Sequence, residues 1–269
     1  MTIVHTERRG KVLEVTLDRP PANAINRETS RALYAAFREL QDDPKLSVGI
    51  VRGAGERIFS GGWDLKEVAS QGYDPDKESD PEHGNGPGGF AGNTEYWDLH
   101  KPLIAAVNGA AVGGGFELAL GCDVMIMAEN AFFALPEMQR GLLADAGAIQ
   151  RLPRRIPYNV AVELLLTGRR MEPDEALKWG LVHKVVPQDQ LMDAARELAD
   201  EVSKGAPLAL QALKEVLLHI ESMPLRDTMN TIKPGGGELP MYRKMMASED
   251  MIEGPKAFAE KREPVWKGR

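Results

Sequence analysis

The sequence predicts an α/β fold, and three observations predict it. Short apolar runs alternate with helical periods from residue 12 to residue 127, an order that implies crossover connections and layered sheet and helix. Two glycine-rich turns each follow such a run and open a helical period. Beyond about residue 142 the pattern is mainly helical, so a helical appendage follows the core.

Residues 3–8 and 12–17 are β-rich and meet at an Arg9-Gly10 turn, and Pro20-Pro21 then stops strand pairing. A helix is predicted over 27–40, because Leu33, Phe37 and Leu40 share one face while Arg31, Arg38 and Glu39 lie off it. A strand at 48–51 ends in Gly53-Ala54-Gly55, and strand, helix and strand follow at 103–107, 114–120 and 124–127. Helices are then expected at 146–155, 159–166, 173–179, 190–204, 207–220 and 249–260, with a strand at 182–186. Residues 70–92, rich in Gly, Pro and acids and without a period, are expected to form one long loop. Two parts are expected: a core at 1–200 and a helical region at 201–269.

Composition narrows the function. Of 269 residues, 43% are hydrophobic and 27% charged, which excludes a disordered chain. Acids outnumber Lys plus Arg by 40 to 33, and a net charge of −7 argues against nucleic acid or anionic lipid as the main partner. The single cysteine, Cys122, builds neither an internal disulfide nor a cysteine zinc site, and the five histidines show no metal spacing. With no signal-like segment or membrane-length apolar run, a soluble cytoplasmic protein is expected.

The strongest motif runs from Ile104 to Asp123. Gly113-Gly114-Gly115 follows an apolar strand and opens a helix, so bare backbone N–H groups meet the positive end of the helix dipole. No Lys follows to complete a P-loop, and Gly53-Ala54-Gly55 lacks the third glycine of a dinucleotide fingerprint. A second turn, Phe59-Ser60-Gly61-Gly62-Trp63, is expected to follow the 48–51 strand as the triple glycine follows 103–107. Two such turns side by side would converge N–H donors on one oxygen, an oxyanion hole suited to a thioester enolate. Glu117, in the first turn of an apolar helix, is expected to be partly buried. Glu137 follows Pro136 after the short segment 132–135, and paired desolvated carboxyls can divide acid and base work.

These residues resemble the enoyl-CoA hydratase/isomerase (crotonase) family. The match runs position by position through 104–124, continues at Pro136-Glu137, Gly141, Asp145 and Gln150-Arg151-Leu152-Pro153, and covers essentially the whole chain. Stretches 59–66, 86–92 and 253–269 look most like the branch acting on carnitinyl-CoA and crotonobetainyl-CoA. The resemblance implies a crotonase-like spiral of ββα turns with a C-terminal helical trimerisation region, and a homotrimer or a hexamer of paired trimers. It implies an acyl-CoA thioester substrate, no metal, and no cofactor beyond the coenzyme A of the substrate. Carried across, Trp63 and Gly114 supply the oxyanion hole, Glu117 and Glu137 are the catalytic pair, and Ala24, Ile25, Asp64, Leu65 and Lys66 bind substrate.

Both glutamates together favour hydration or dehydration over the alternative, isomerisation. A non-catalytic RNA-binding or scaffold relative is the different class. Trp63, Phe90, Tyr96 and Trp97, with acids Asp74, Asp76, Glu78, Asp80, Glu82 and Glu95, are expected to form a cover that recognises a cationic acyl end. Leu143-Ala144-Asp145-Ala146-Gly147-Ala148 departs from the family's common Val-Pro-Asp-x-Gly-Gly, which is expected to alter the loop beside Glu137. Segment 228–247 also departs from the carnitinyl branch.

Overall fold

The computed structural model describes residues 2–72, 80, 84–232 and 239–269. Ten strands occur among them: β1 (Val4–Arg9), β2 (Val12–Leu17), β3 (Val48–Gly53), β4 (Ile58–Ser60), β5 (Leu103–Val107), β6 (Ala110–Val112), β7 (Val124–Ala128), β8 (Phe133–Ala134), β9 (Arg170–Met171) and β10 (Lys184–Val186). A six-stranded sheet runs β1-β2-β3-β5-β7-β10. Its first pair is the expected hairpin, with Val4 opposite Leu17 and Arg9 opposite Val12, and the other pairs are parallel. β5 is buried along its whole length, as a parallel strand covered on both faces must be.

The second sheet, β4-β6-β8-β9, was not read from the sequence. β4, β6 and β8 are parallel neighbours of two or three residues each, too short to show a period. This corrects the expected placement of the glycine turns. They follow β4 and β6 in the small sheet, not β3 and β5 in the large one.

Helix α1 (Arg27–Asp42) starts where Asn26 accepts the Thr29 N–H, and it buries Leu33, Phe37 and Leu40. Each such side chain is worth about 1.5–3 kcal/mol. Next come α2 (Leu65–Gln71), α3 (Gly114–Leu120), α4 (Ala148–Arg155), α5 (Tyr158–Thr167), α6 (Pro173–Lys178) and α7 (Leu191–Ser203). α2 takes the first residues of the segment expected to be a loop, and Phe90–Gly92 forms a 3-10 turn. The acids Asp74, Asp76, Glu78 and Glu82 lie outside the described residues.

The C-terminal region holds α8 (Pro207–Ile220), α9 (Leu225–Thr231), α10 (Pro240–Met246) and α11 (Glu249–Glu260), of which α9 and α10 were not expected. Glu215 of α8 accepts the N–H groups of Met241 and Tyr242 at 3.0 and 2.9 Å, capping α10 with a charge that its dipole favours. Asp250 accepts the N–H groups of Lys267 and Gly268, which ties the tail back to α11. Leu225, Ile252 and Phe258 nevertheless stay exposed, at 78%, 70% and 88%. No helix among the described residues is long and apolar enough to cross a membrane.

Candidate active site

The small sheet positions the site. At the C-terminal ends of three adjacent parallel strands, β4 leads into Gly61-Gly62-Trp63, β6 into Gly113-Gly114-Gly115, and β8 into Pro136-Glu137. Strand ends in α/β sheets are where ligand crevices form, because helices start there and present N–H groups.

The two glycine turns touch. A Cβ on Gly62, whose φ is +81°, would lie 2.5 Å from Val112 O and 2.7 Å from Gly114 N. One on Gly114 would lie 3.3 Å from the Trp63 nitrogen. The Trp63 and Gly114 amide nitrogens are thus brought together, and only glycine allows backbones this close. Ser60, fully buried, holds the first turn: its Oγ donates to Asn23 O at 2.7 Å and accepts the Gly62 N–H at 3.1 Å.

Glu117 lies one turn into α3 and is 4% exposed. Its Oε1 accepts the Ala148 N–H at 3.0 Å, the first amide of α4. Burial pushes its carboxyl up to about 7, against the Ala148 hydrogen bond and the Arg151 charge and with the help of Glu137 and Asp145. Glu137 sits in the 3-10 turn Pro136–Arg140, and a Cβ on Gly113 would lie 2.5 Å from its Oε1. Its Oε2 is buried without a hydrogen-bond partner among the described residues, and burial raises its proton affinity too. Glu137 therefore lies against the Gly113 turn, while Glu117 stands in the first turn of the helix that Gly114 opens.

The expected substrate-binding residues divide. Ile25 is fully buried, and it pairs through its N–H with Gly62 O and through its O with Asp64 N–H, so it backs Trp63 as a wall. Ala24 O accepts from Arg19 Nη1 at 3.0 Å. Asp64 caps α2 and pairs with Arg19 at 2.7 Å. Leu65 and Lys66 are exposed on the first turn of α2, available to a ligand lying along it.

The aromatic cluster divides as well. A Cβ on Gly114 would lie 2.5 Å from Phe90 Cε1, which puts that ring against Gly114. The Phe90 backbone is fastened to α1, where the Ala91 N–H donates to Ser30 Oγ at 3.0 Å. Tyr96 instead packs on Tyr34, ring centroids 4.9 Å apart, and Trp97 is 62% exposed under the Arg151 guanidinium. Of the four residues, Phe90 brings its ring and Trp63 its backbone nitrogen to Gly114. Sequence reasoning missed the supporting roles of Arg19, Ser60 and Arg151, although Ser60 and Arg151 stood inside the quoted motifs.

Residues 7–269 match the family described as enoyl-CoA hydratase/isomerase. The chain belongs to this family. It is 52% identical over 266 residues to carnitinyl-CoA dehydratases of Salmonella paratyphi A and Salmonella agona, an alignment covering 99% of this chain and 98% of theirs. Among solved structures it is similar to an enoyl-CoA hydratase from Mycobacterium tuberculosis H37Rv, with a TM-score of 0.87, 36% identity and 100% of both chains covered. A probable enoyl-CoA hydratase/isomerase from Mycobacterium abscessus gives 0.86 and 39%, again over 100% of both chains. The α/β fold expected from the sequence is the fold of these family members.

Proposed function

We propose that the protein is a hydro-lyase that adds water to, or removes it from, the α,β-carbons of an acyl-CoA thioester, with Glu117 and Glu137 as its acid–base pair. The observation that carries this reading is the close approach of the Trp63 and Gly114 amide nitrogens beside the turn that Glu137 touches, with the buried Glu117 carboxyl on the helix that Gly114 opens.

Trp63 and Gly114 N–H groups hold the thioester oxygen, drawing electrons from the β-carbon and giving the α-carbon enolate character. Glu117 takes a proton from water attacking the β-carbon, and Glu137 delivers one to the α-carbon. In reverse, Glu137 removes the α-proton and Glu117 protonates the leaving hydroxyl. Burial raises the proton affinity of both carboxyls, that of Glu117 to about 7, where it can hold or release a proton near neutral pH. No cofactor beyond the coenzyme A of the substrate enters this scheme.

The acyl group is the trimethylammonium-bearing one of carnitinyl-CoA and crotonobetainyl-CoA. Support comes from the relatives of that name and from the Phe90 ring beside Gly114, since a ring face attracts a quaternary cation by about 0.5–2 kcal/mol. Leu225, Ile252 and Phe258 on the C-terminal helices support a homotrimer, or a hexamer of paired trimers, with 201–269 as the assembling region. The site of action is the cytoplasm.

A panel of acyl-CoA esters tests the reading. Crotonobetainyl-CoA is expected to be hydrated with a higher kcat/KM than crotonyl-CoA, and equal values would remove the cation from the proposal. No hydration of any enoyl-CoA would remove the reaction.

A further inference from the structure

We propose that Arg151 is a positioning residue for this reaction, a strut that sets the base Glu117 and the aromatic wall Phe90 in register. The inference rests on Glu117 being the base. Arg151 stands one turn into α4, the helix whose first amide, at Ala148, holds Glu117 Oε1. Its guanidinium lies against Gly147, the residue that opens α4, so closely that a Cβ there would collide with Nη1. Nη2 donates to Thr94 O at 2.6 Å, and Thr94 Oγ donates to Phe90 O at 2.8 Å. Phe90 in turn meets Gly114.

One side chain thus joins the start of α4 to the segment that carries Phe90. A planar fork suits this work, because it bonds and packs in two directions at once. The charge matters as well. Glu137 and Asp145 face Glu117 as like charges and raise its carboxyl, Arg151 opposes them, and Glu95 and Glu221 act on Arg151. Removing the Arg151 charge leaves Glu117 harder to ionise.

Steady-state hydration of crotonyl-CoA across about pH 5–9 tests this. Arg151→Met is expected to lower kcat about 10–100-fold with a smaller change in KM, and to move the acid limb of the profile upward. Arg151→Lys, which keeps the charge without the fork, is expected to leave the limb near its wild-type position while kcat stays low. Thr94→Ala, which cuts only the tie to Phe90, is expected to lower kcat/KM about 3–10-fold with the limb in place, and it serves if Arg151→Met does not fold. Wild-type kcat and limb in Arg151→Met, or wild-type kinetics in both Arg151→Lys and Thr94→Ala, overturn the strut. Glu117→Gln separates the two readings: full activity in that variant overturns the base and the strut together, whereas an inactive Glu117→Gln beside an unaffected Arg151→Met overturns the strut alone.

Discussion

The first amide of α4, at Ala148, donates to Glu117 Oε1 at 3.0 Å, so a helix that starts after the second glutamate orients the first. Glu117→Gln keeps an acceptor for that N–H and loses the base. Its kcat for hydration is expected to fall about 10²–10⁴-fold, and that of Glu137→Gln likewise, with folding checked by circular dichroism. Near-normal turnover in either variant would end the two-glutamate scheme.

The Glu117 carboxyl, pushed up to about 7 by burial, sets the acid limit of the reaction. Hydration starts with Glu117 ionised and Glu137 protonated, and dehydration starts with the proton on the other carboxyl, so both competent forms carry the same number of protons and kcat/KM keeps one pH profile in both directions. That profile is expected to fall one-proton-wise as the pH drops below about 7. Initial rates from both sides of the equilibrium across pH read this out, and a flat profile down to about pH 5 would contradict the assigned role.

Stability should follow the same group. Unfolded, the carboxyl releases its proton near 4.5, whereas folded it holds it to about 7. Between those values the unfolded state binds fewer protons, so this carboxyl lowers stability as the pH rises through the window. Glu117→Gln is expected to gain up to about 3 kcal/mol on the wild type between pH 4 and pH 8. Denaturant melts of both proteins at each pH measure it, and an unchanging difference would mean that Glu117 is not held protonated.

Gly62→Ala tests the hole. The new Cβ meets Val112 O and Gly114 N in a left-handed backbone, so the two turns must part. The expected loss is about 10²–10³-fold in kcat, the usual worth of a lost oxyanion donor, with a smaller effect on KM. Unchanged kcat would place the hole elsewhere.

Phe90→Leu tests cation recognition. It keeps an apolar wall and removes the ring face. The preference for crotonobetainyl-CoA over crotonyl-CoA is expected to shrink about 2–30-fold, the equivalent of one cation–ring contact. A parallel loss on both substrates would show that the ring only packs.

Much of the fold was legible because it is written in local periods. β2, β5, α3, α8 and α11 lie where the pattern of apolar residues puts them, and α1 runs two residues further than predicted. β4, β6 and β8 were illegible, since strands of two or three residues carry no period and owe their pairing to neighbours about 50 and 20 residues away in the chain. The expected loop from residue 70 starts later because α2, whose N-terminus Asp64 caps by accepting the Glu67 N–H, runs to Gln71.

For the site, local sequence determined the ingredients: glycines with no side chain to block a ligand, an acid set in an apolar helix, and a second acid after a proline. Tertiary structure alone decided that they meet. Three short parallel strands bring Trp63, Gly114 and Glu137 to one edge, α4 reaches back to hold Glu117, and Phe90 rather than Tyr96 or Trp97 arrives beside Gly114. The physical reason is that sequence patterns report each element's own buried face, whereas distances between elements depend on strand pairing and on backbone approach at Gly62 and Gly114, which long-range packing sets.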